Sequence, residues 1–454
     1  MTKALLSLKP PVDSDPRLLS NKTKAVIIFC LGLCASTPGF ASTIYFPGIP
    51  YITADLNAPS IATTLTAALY ALFMGIAPIF WASLSDFYLV RRILILLSIL
   101  IFGAASLGSA FINNIWGLVV LRCIQAVGAS CGQSVGGGND IYPVEQRGAA
   151  FGKFYFGVFI GPLLGPIIGG FLIISDLTWR ATFWFCFALA VMIFLILFFL
   201  LPETYRDDDQ FDLNLSLANA KLAPIKRRIN PIGPFLLLRH PFIFLSSFVS
   251  AIAFGCMFAV ETIIPDLYEQ HYGFNSWKTG LSYLGAGVGN LLGSILGGML
   301  SDRLLLRSRR LRGGASVVED RLTANLWPAC FIVIPFGLLL FGWTIEKGMS
   351  FWAPIVGFGI QTFGMNQIMT ATSAYIVDAM PGNGASASAA TNCFRMVVAC
   401  ILTIVANPMV NTLGPGWTCV LLTGLTYVSC VCLVILKFKG AAMREQSGYG
   451  DQKQ

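Results

Sequence analysis

Two arginines sit inside apolar runs, Arg122 and Arg395. Each has a side-chain amide three residues away on the same helical face, Gln125 after the first and Asn392 before the second. A guanidinium within hydrocarbon costs about 2.5–3.5 kcal/mol on insertion scales, so such a residue belongs against a wet cavity or a buried partner. Its planar fork suits a carboxylate, and it can equally bond the carbonyls of a broken helix. Glu261 is the one carboxylate well inside an apolar run, about 5 Å from the outer end of that run at helical rise, where an interfacial acid would also sit. Arginine holds its charge at any accessible pH and cannot itself carry a proton. The chemistry these residues could do is therefore binding and charge compensation. Catalysis would need a nucleophile–base set or metal ligands. The two histidines, His240 and His271, fall in separate loops, and the twelve cysteines lie in apolar segments with no CxxC pair. No GxxxxGK[ST] phosphate loop occurs. Neither an enzyme, a metal site nor a cofactor is expected.

The elements that must position these residues follow from composition. The chain has 454 residues, 56% hydrophobic and 11% charged, where a soluble protein carries about 25% charged residues. Apolar runs of about 20 residues without alternation read as membrane-spanning helices. Twelve are expected: six in a bundle over 24–201, six in a bundle over 242–437. A cytoplasmic tail at 1–23, a polar linker at 202–241 and a tail at 438–454 complete the chain. The first run is expected to act as a signal anchor. With both termini inside, the tails and even-numbered loops hold 25 of the 30 basic residues against three in the odd-numbered loops. That asymmetry favours cytoplasmic termini and accounts for the net charge of +8 without nucleic acid as a partner.

The two halves repeat. Ala82-Ser-Leu-Ser-Asp86 with Arg91 follows span 2, and Gly298-Met-Leu-Ser-Asp302-Arg303 follows span 8. Asp140-Ile-Tyr-Pro-Val-Glu145-Gln-Arg147 follows span 4, and Asp378-Ala-Met-Pro381-Gly382 follows span 10. These acids and arginines are candidate gating residues, paired in one orientation of the halves and parted in the other. Span 5 carries Gly157, Gly161, Gly165 and Gly169 on one face beside Pro162 and Pro166, and span 8 carries Gly285, Gly289, Gly293 and Gly297 at the same spacing. Small-residue stripes let helices approach closely, and the expectation is that the two stripes pack on each other between the halves.

Gly157-Val-Phe-Ile-Gly161-Pro162-Leu-Leu-Gly165-Pro166-Ile-Ile-Gly169-Gly170 resembles the span 5 antiporter motif of major facilitator drug exporters. Arg122-Cys-Ile-Gln125-Ala-Val-Gly128 resembles that family's span 4 motif, and the Asp86 and Asp302 loops its inner gating motif. Ile44-Tyr-Phe-Pro47-Gly-Ile-Pro50, Trp179-Arg180 and Ala389-Ala-Thr-Asn392-Cys-Phe-Arg395 are similar to the fungal drug:proton antiporter-1 group. Phe87 stands where that group favours arginine. The resemblance implies an all-α integral membrane protein of the major facilitator fold, with two pseudo-symmetric six-helix bundles. It further implies a monomer in the lipid bilayer that exports small organic molecules in exchange for protons, driven by the proton gradient. The plasma membrane is the expected location, with the vacuolar membrane as the alternative. Spans 1, 4, 7 and 10 would line the cavity with Tyr45, Arg122, Gln125, Met257, Gln361, Met365 and Asn366, making Arg122, Gln125, Glu261, Gln361, Asn392 and Arg395 the candidate substrate or coupling residues. An organic-anion carrier using Arg122 and Arg395, or a sensor that binds without transporting, are the rival readings.

Overall fold

In the computed structural model, residues 19–88, 90–135, 147–203, 233–311, 313, 318–322, 326–380 and 384–449 are described. Apolar runs close their backbone hydrogen bonds within each segment, and the described residues contain helices and no strand. Numbered by span, these are α1 (Asn21–Thr43), α2 (Ser60–Tyr88), α3 (Arg92–Phe111), α4 (Ile115–Ala129), α5 (Arg147–Leu172), α6 (Arg180–Leu200), α7 (Pro241–Tyr272), α8 (Leu284–Leu311), α9 (Ile334–Glu346) and α10 (Trp352–Ala379). The last helical run, Gly384–Gln446, is two helices, α11 and α12, because Gly414 stands at φ 83°, a conformation open chiefly to glycine. The fold is the expected one of twelve spans in two halves. Among the described residues nine helices are long and apolar enough to cross a membrane, one of them the joined α11 and α12. α10 falls short of that hydropathy because Gln361, Asn366 and Gln367 interrupt it, and the part of α5 whose side chains are described, Ile160–Leu172, is apolar.

The ends of three spans depart from the sequence reading. α7 runs to Tyr272, eight residues beyond the expected end at 264. Pro265 does not stop it, and Gly273, left-handed at φ 61°, does: its N–H bonds Glu269 O at 3.0 Å and Phe274 N bonds Tyr268 O at 3.2 Å. α1 ends at Thr43 and resumes as a short helix over Ile49–Asp55, broken at Ile44-Tyr-Phe-Pro47. α12 continues through Gln446, so residues read as a tail are helical, and Arg444 within them is buried.

The face where α1 begins and α12 ends is here the tail side, and its opposite the far side. Small residues set the packing inside each half. A methyl on Gly161 would lie 2.6 Å from Phe40 N, and one on Gly169 would lie 3.0 Å from Ile44 C, so the α5 stripe seats α1. On Gly293 it would lie 2.9 Å from Asn366 Cβ, so the α8 stripe seats α10. The expectation that the two stripes pack on each other is thereby corrected: each belongs to its own half. Between the halves α5 meets the short helix Ser276–Ser282 that precedes α8, through Pro166 and Gly170 against Gly280 and Trp277, and it meets α8 itself through Leu163 against Gly287. α2 meets α11 at Gly75 and Met396, and Asn407 Nδ2 donates to Thr64 Oγ1 at 3.0 Å. The far-side loops of the N-terminal half are tied by Arg180, which bonds Asp55 at 2.6 Å and Asn113 at 2.8 Å, while Trp179 Nε1 bonds Asp55 at 3.0 Å. That explains the Trp179-Arg180 pair as a staple. Of the twelve cysteines ten are buried and two half-buried.

Candidate functional site

Arg122 is placed by α4 against the break in α1. Its Nη1 donates to Ala41 O at 2.8 Å and to Gln125 Oε1 at 2.7 Å, and Gln125 Nε2 donates to Ser106 Oγ at 2.8 Å. The guanidinium lies 4.5 Å from the Tyr45 ring centre and 4.1 Å from that of Tyr70. Tyr70 in turn donates to Pro38 O at 3.2 Å, and Tyr45 shares a 2.5 Å bond with Thr66. At 1% exposure Arg122 braces the carbonyl end of a broken helix. Its Nε and Nη2 have no hydrogen-bond partner among the described residues. Gln125, expected to orient a substrate, is committed to Arg122 and Ser106.

Glu261 lies deeper than its sequence position indicated. Because α7 extends to Tyr272, the carboxyl stands eleven residues inside the helix, about 16 Å at helical rise. It is 4% exposed, and its Oε2 has no hydrogen-bond partner among the described residues. Pro265, four residues on, has no N–H for the Glu261 carbonyl. The phenol of Tyr283, at the far-side start of α8, supplies the missing donor at 2.6 Å. Tyr283 also stacks on Phe46 of the α1 break, centroids 6.2 Å apart and planes 5° from parallel. One side chain thus connects the Glu261 backbone, the entry to α8 and the opposite half.

α10 brings the buried amides. Gln361 Nε2 reaches Ala253 O on α7 at 3.5 Å, and its Oε1 has no partner among the described residues. Asn366 Nδ2 bonds Asn290 Oδ1 on α8 at 2.5 Å, and Thr362 Oγ1 bonds Ala286 O at 3.2 Å. Met365 and Met257 are buried on α10 and α7. Arg395 on α11 donates from Nη2 to Asn392 Oδ1 and lies 4.9 Å from the Phe254 ring centre, half-buried. It therefore belongs to the α7–α11 seam, apart from the Arg122 nest.

The expected gating residues divide. Asp140 lies outside the described residues, while Asp86, Arg147 and Asp302 lie on helices with their side chains outside them. Arg303 and Asp378 are exposed on the tail side. Gly157 lies on α5, its surroundings outside the described residues, and Gly285, Gly289 and Gly297 each face α10. Arg91 marks a contact not foreseen: its backbone N–H and that of Arg92 donate to the two Glu203 oxygens at 3.0 and 3.2 Å. Arg92 Nη2 bonds Phe198 O at 2.9 Å. At the corresponding place in the second half, Arg444 Nε and Nη2 hold Glu319 Oε1 and Oε2 at 2.8 and 3.0 Å, and Lys437 Nζ bonds Glu319 O at 2.9 Å. Glu203, Glu319 and Arg444 had read as linker, loop and tail. The legible signal was Pro265 four residues after Glu261, which announces a freed carbonyl.

A family model described as Major Facilitator Superfamily matches residues 31–403. The chain is similar to the MFS antiporter QDR3 of Candida albicans, at 27% identity over 96% of this chain and 80% of that protein. It is also similar to the MFS transporter eqxG of Fusarium heterosporum, at 29% identity over 93% and 84%. Among solved structures it is similar to a D-xylose–proton symporter, with TM-score 0.68 at 15% identity, over 90% of this chain and 97% of that one. A bacterial homologue of the human lysosomal transporter Spinster, inward-facing and occupied, matches with TM-score 0.65 at 15% identity, over 96% and 100%. At such identity the structural likeness is one of fold.

Proposed function

The chain belongs to the Major Facilitator Superfamily, and from that premise we propose that it exports small organic molecules in exchange for protons, with Glu261 as the residue that loads and releases the proton. It is a transporter rather than an enzyme. The observation that carries the coupling is the Glu261 carboxyl, buried in a span with no hydrogen-bond partner for Oε2 among the described residues. A charge held there unpaired is expensive, so the group changes protonation or gains a partner as the cavity opens and closes. Its carbonyl is tied through Tyr283 to Phe46 of the other half, which gives a change at Glu261 a mechanical route to the far-side contact. The antiporter named among the relatives supports exchange as the mode. We place the tails in the cytoplasm from the lysine and arginine asymmetry, and the protein in the plasma membrane. The organic-anion reading is weaker, because Arg122 is spent on Ala41, Gln125 and two aromatic rings.

Transport into proteoliposomes, screened over small organic compounds with an imposed pH gradient, tests this. The gradient should drive accumulation that a protonophore collapses. Glu261→Gln should lose gradient-driven accumulation and keep exchange of labelled for unlabelled substrate at equal pH. Wild-type coupling in Glu261→Gln refutes the assignment, and flux indifferent to the protonophore in wild type refutes antiport.

A further inference from the structure

At the far-side end of the interface the two halves line an open cavity of about 370 Å³, within the roughly 300–1,000 Å³ of sites that hold drug-sized ligands. Both halves build it: Thr53 and Ser60 from the first, Asp266, Gln270, Asn407 and Asn411 from the second. Aliphatic side chains such as Val410 complete the wall, and a smaller cavity of about 110 Å³ adjoins it beside Thr64. Of the twelve lining residues Asp266 alone is ionisable. It has no hydrogen-bond or ion-pair partner among the described residues, whereas Asp55, on the same side, is held by Arg180 and Trp179. Half-buried at an open cavity with apolar walls, this acid can take a cation from outside the chain. The room is far more than a bare ion needs. Among the described residues no group of three or more His, Cys, Asp and Glu could hold a metal.

We propose that this cavity binds an organic ammonium ion from the far side, with Asp266 as its counter-ion and the amides of Asn407, Asn411 and Gln270 accepting its N–H groups. The site is separate from Glu261 and does not depend on proton coupling there. Because its walls come from both halves, an occupant favours the arrangement in which the far-side contacts are closed and slows the cycle.

The test is calorimetric titration of purified full-length protein in detergent with phenylbutylammonium and with uncharged phenylbutanol. Wild type should prefer the ammonium by about tenfold or more, as expected of a charge-assisted contact. Asp266→Asn should abolish that preference, and Val410→Trp, which fills the cavity, should weaken both ligands. Equal affinity of wild type for the two ligands overturns the proposal. So does a retained preference in Asp266→Asn, or wild-type binding in Val410→Trp. Should Asp266→Asn fail to fold, the ammonium–alcohol comparison in wild type and Val410→Trp decides alone.

Discussion

The tail-side ends of the two halves are fastened at equivalent places by different donors. In the first half an acid after α6, Glu203, is held by the backbone N–H groups that open α3. In the second an acid before α9, Glu319, is held by a side chain near the end of α12, Arg444, with both groups 3% exposed. The first clamp sets the acid on the positive end of a helix, where the buried Arg92 guanidinium also attracts it. The second is a desolvated ion pair that works only as a pair. Pseudo-symmetry thus preserves where the halves are closed and leaves free how.

The comparison can be broken in three steps, each measured by detergent-based unfolding of the purified variants. The largest loss is expected for Arg444→Ala or Glu319→Ala, about 3–5 kcal/mol, because each leaves a buried charge without its partner. Glu203→Ala removes a helix-terminal acceptor, and about 1–2 kcal/mol should follow. Arg91→Ala keeps the N–H that Glu203 uses and should cost within about 1 kcal/mol. Equal losses at Glu203 and Glu319 would show that the first clamp is also a buried pair. A large loss at Arg91 would show that its side chain, and not the helix end, holds the acid.

The same contrast explains what could be read from the sequence. Spans, halves and repeated loops were legible because hydrophobic run length and basic-residue bias are imposed by the bilayer itself. The glycine stripes were legible as packing faces but not in their partners. Spacing every four residues defines a face and says nothing of which helix lies on it, so the α5 and α8 stripes were matched to each other when each seats a helix of its own half. Glu261 was legible as an acid inside a span but its depth was not, since Pro265 looks like a terminus until Tyr283 is seen taking over the freed carbonyl. The clamps were missed for a plainer reason. Glu319 and Arg444 stand 125 positions apart, and no local pattern joins them.

Where α5 and the α1 break meet the Ser276–Ser282 helix and the residue after it, Tyr283, between the halves, the surfaces are proline and glycine backbone with rings at the rim: Pro166 and Gly170 on Gly280, Phe171 stacked on Trp277 at 6.2 Å, and Phe46 on Tyr283. Contacts of this kind have no preferred angle of approach beyond fit, and they weaken smoothly as the surfaces slide, unlike a ladder of directional bonds. The joint is held by fit rather than by directional bonds. Its resistance depends on how firmly the surroundings press the halves together, so lateral pressure in the bilayer, set by acyl-chain length and sterol content, should govern its turnover more than ionic strength does.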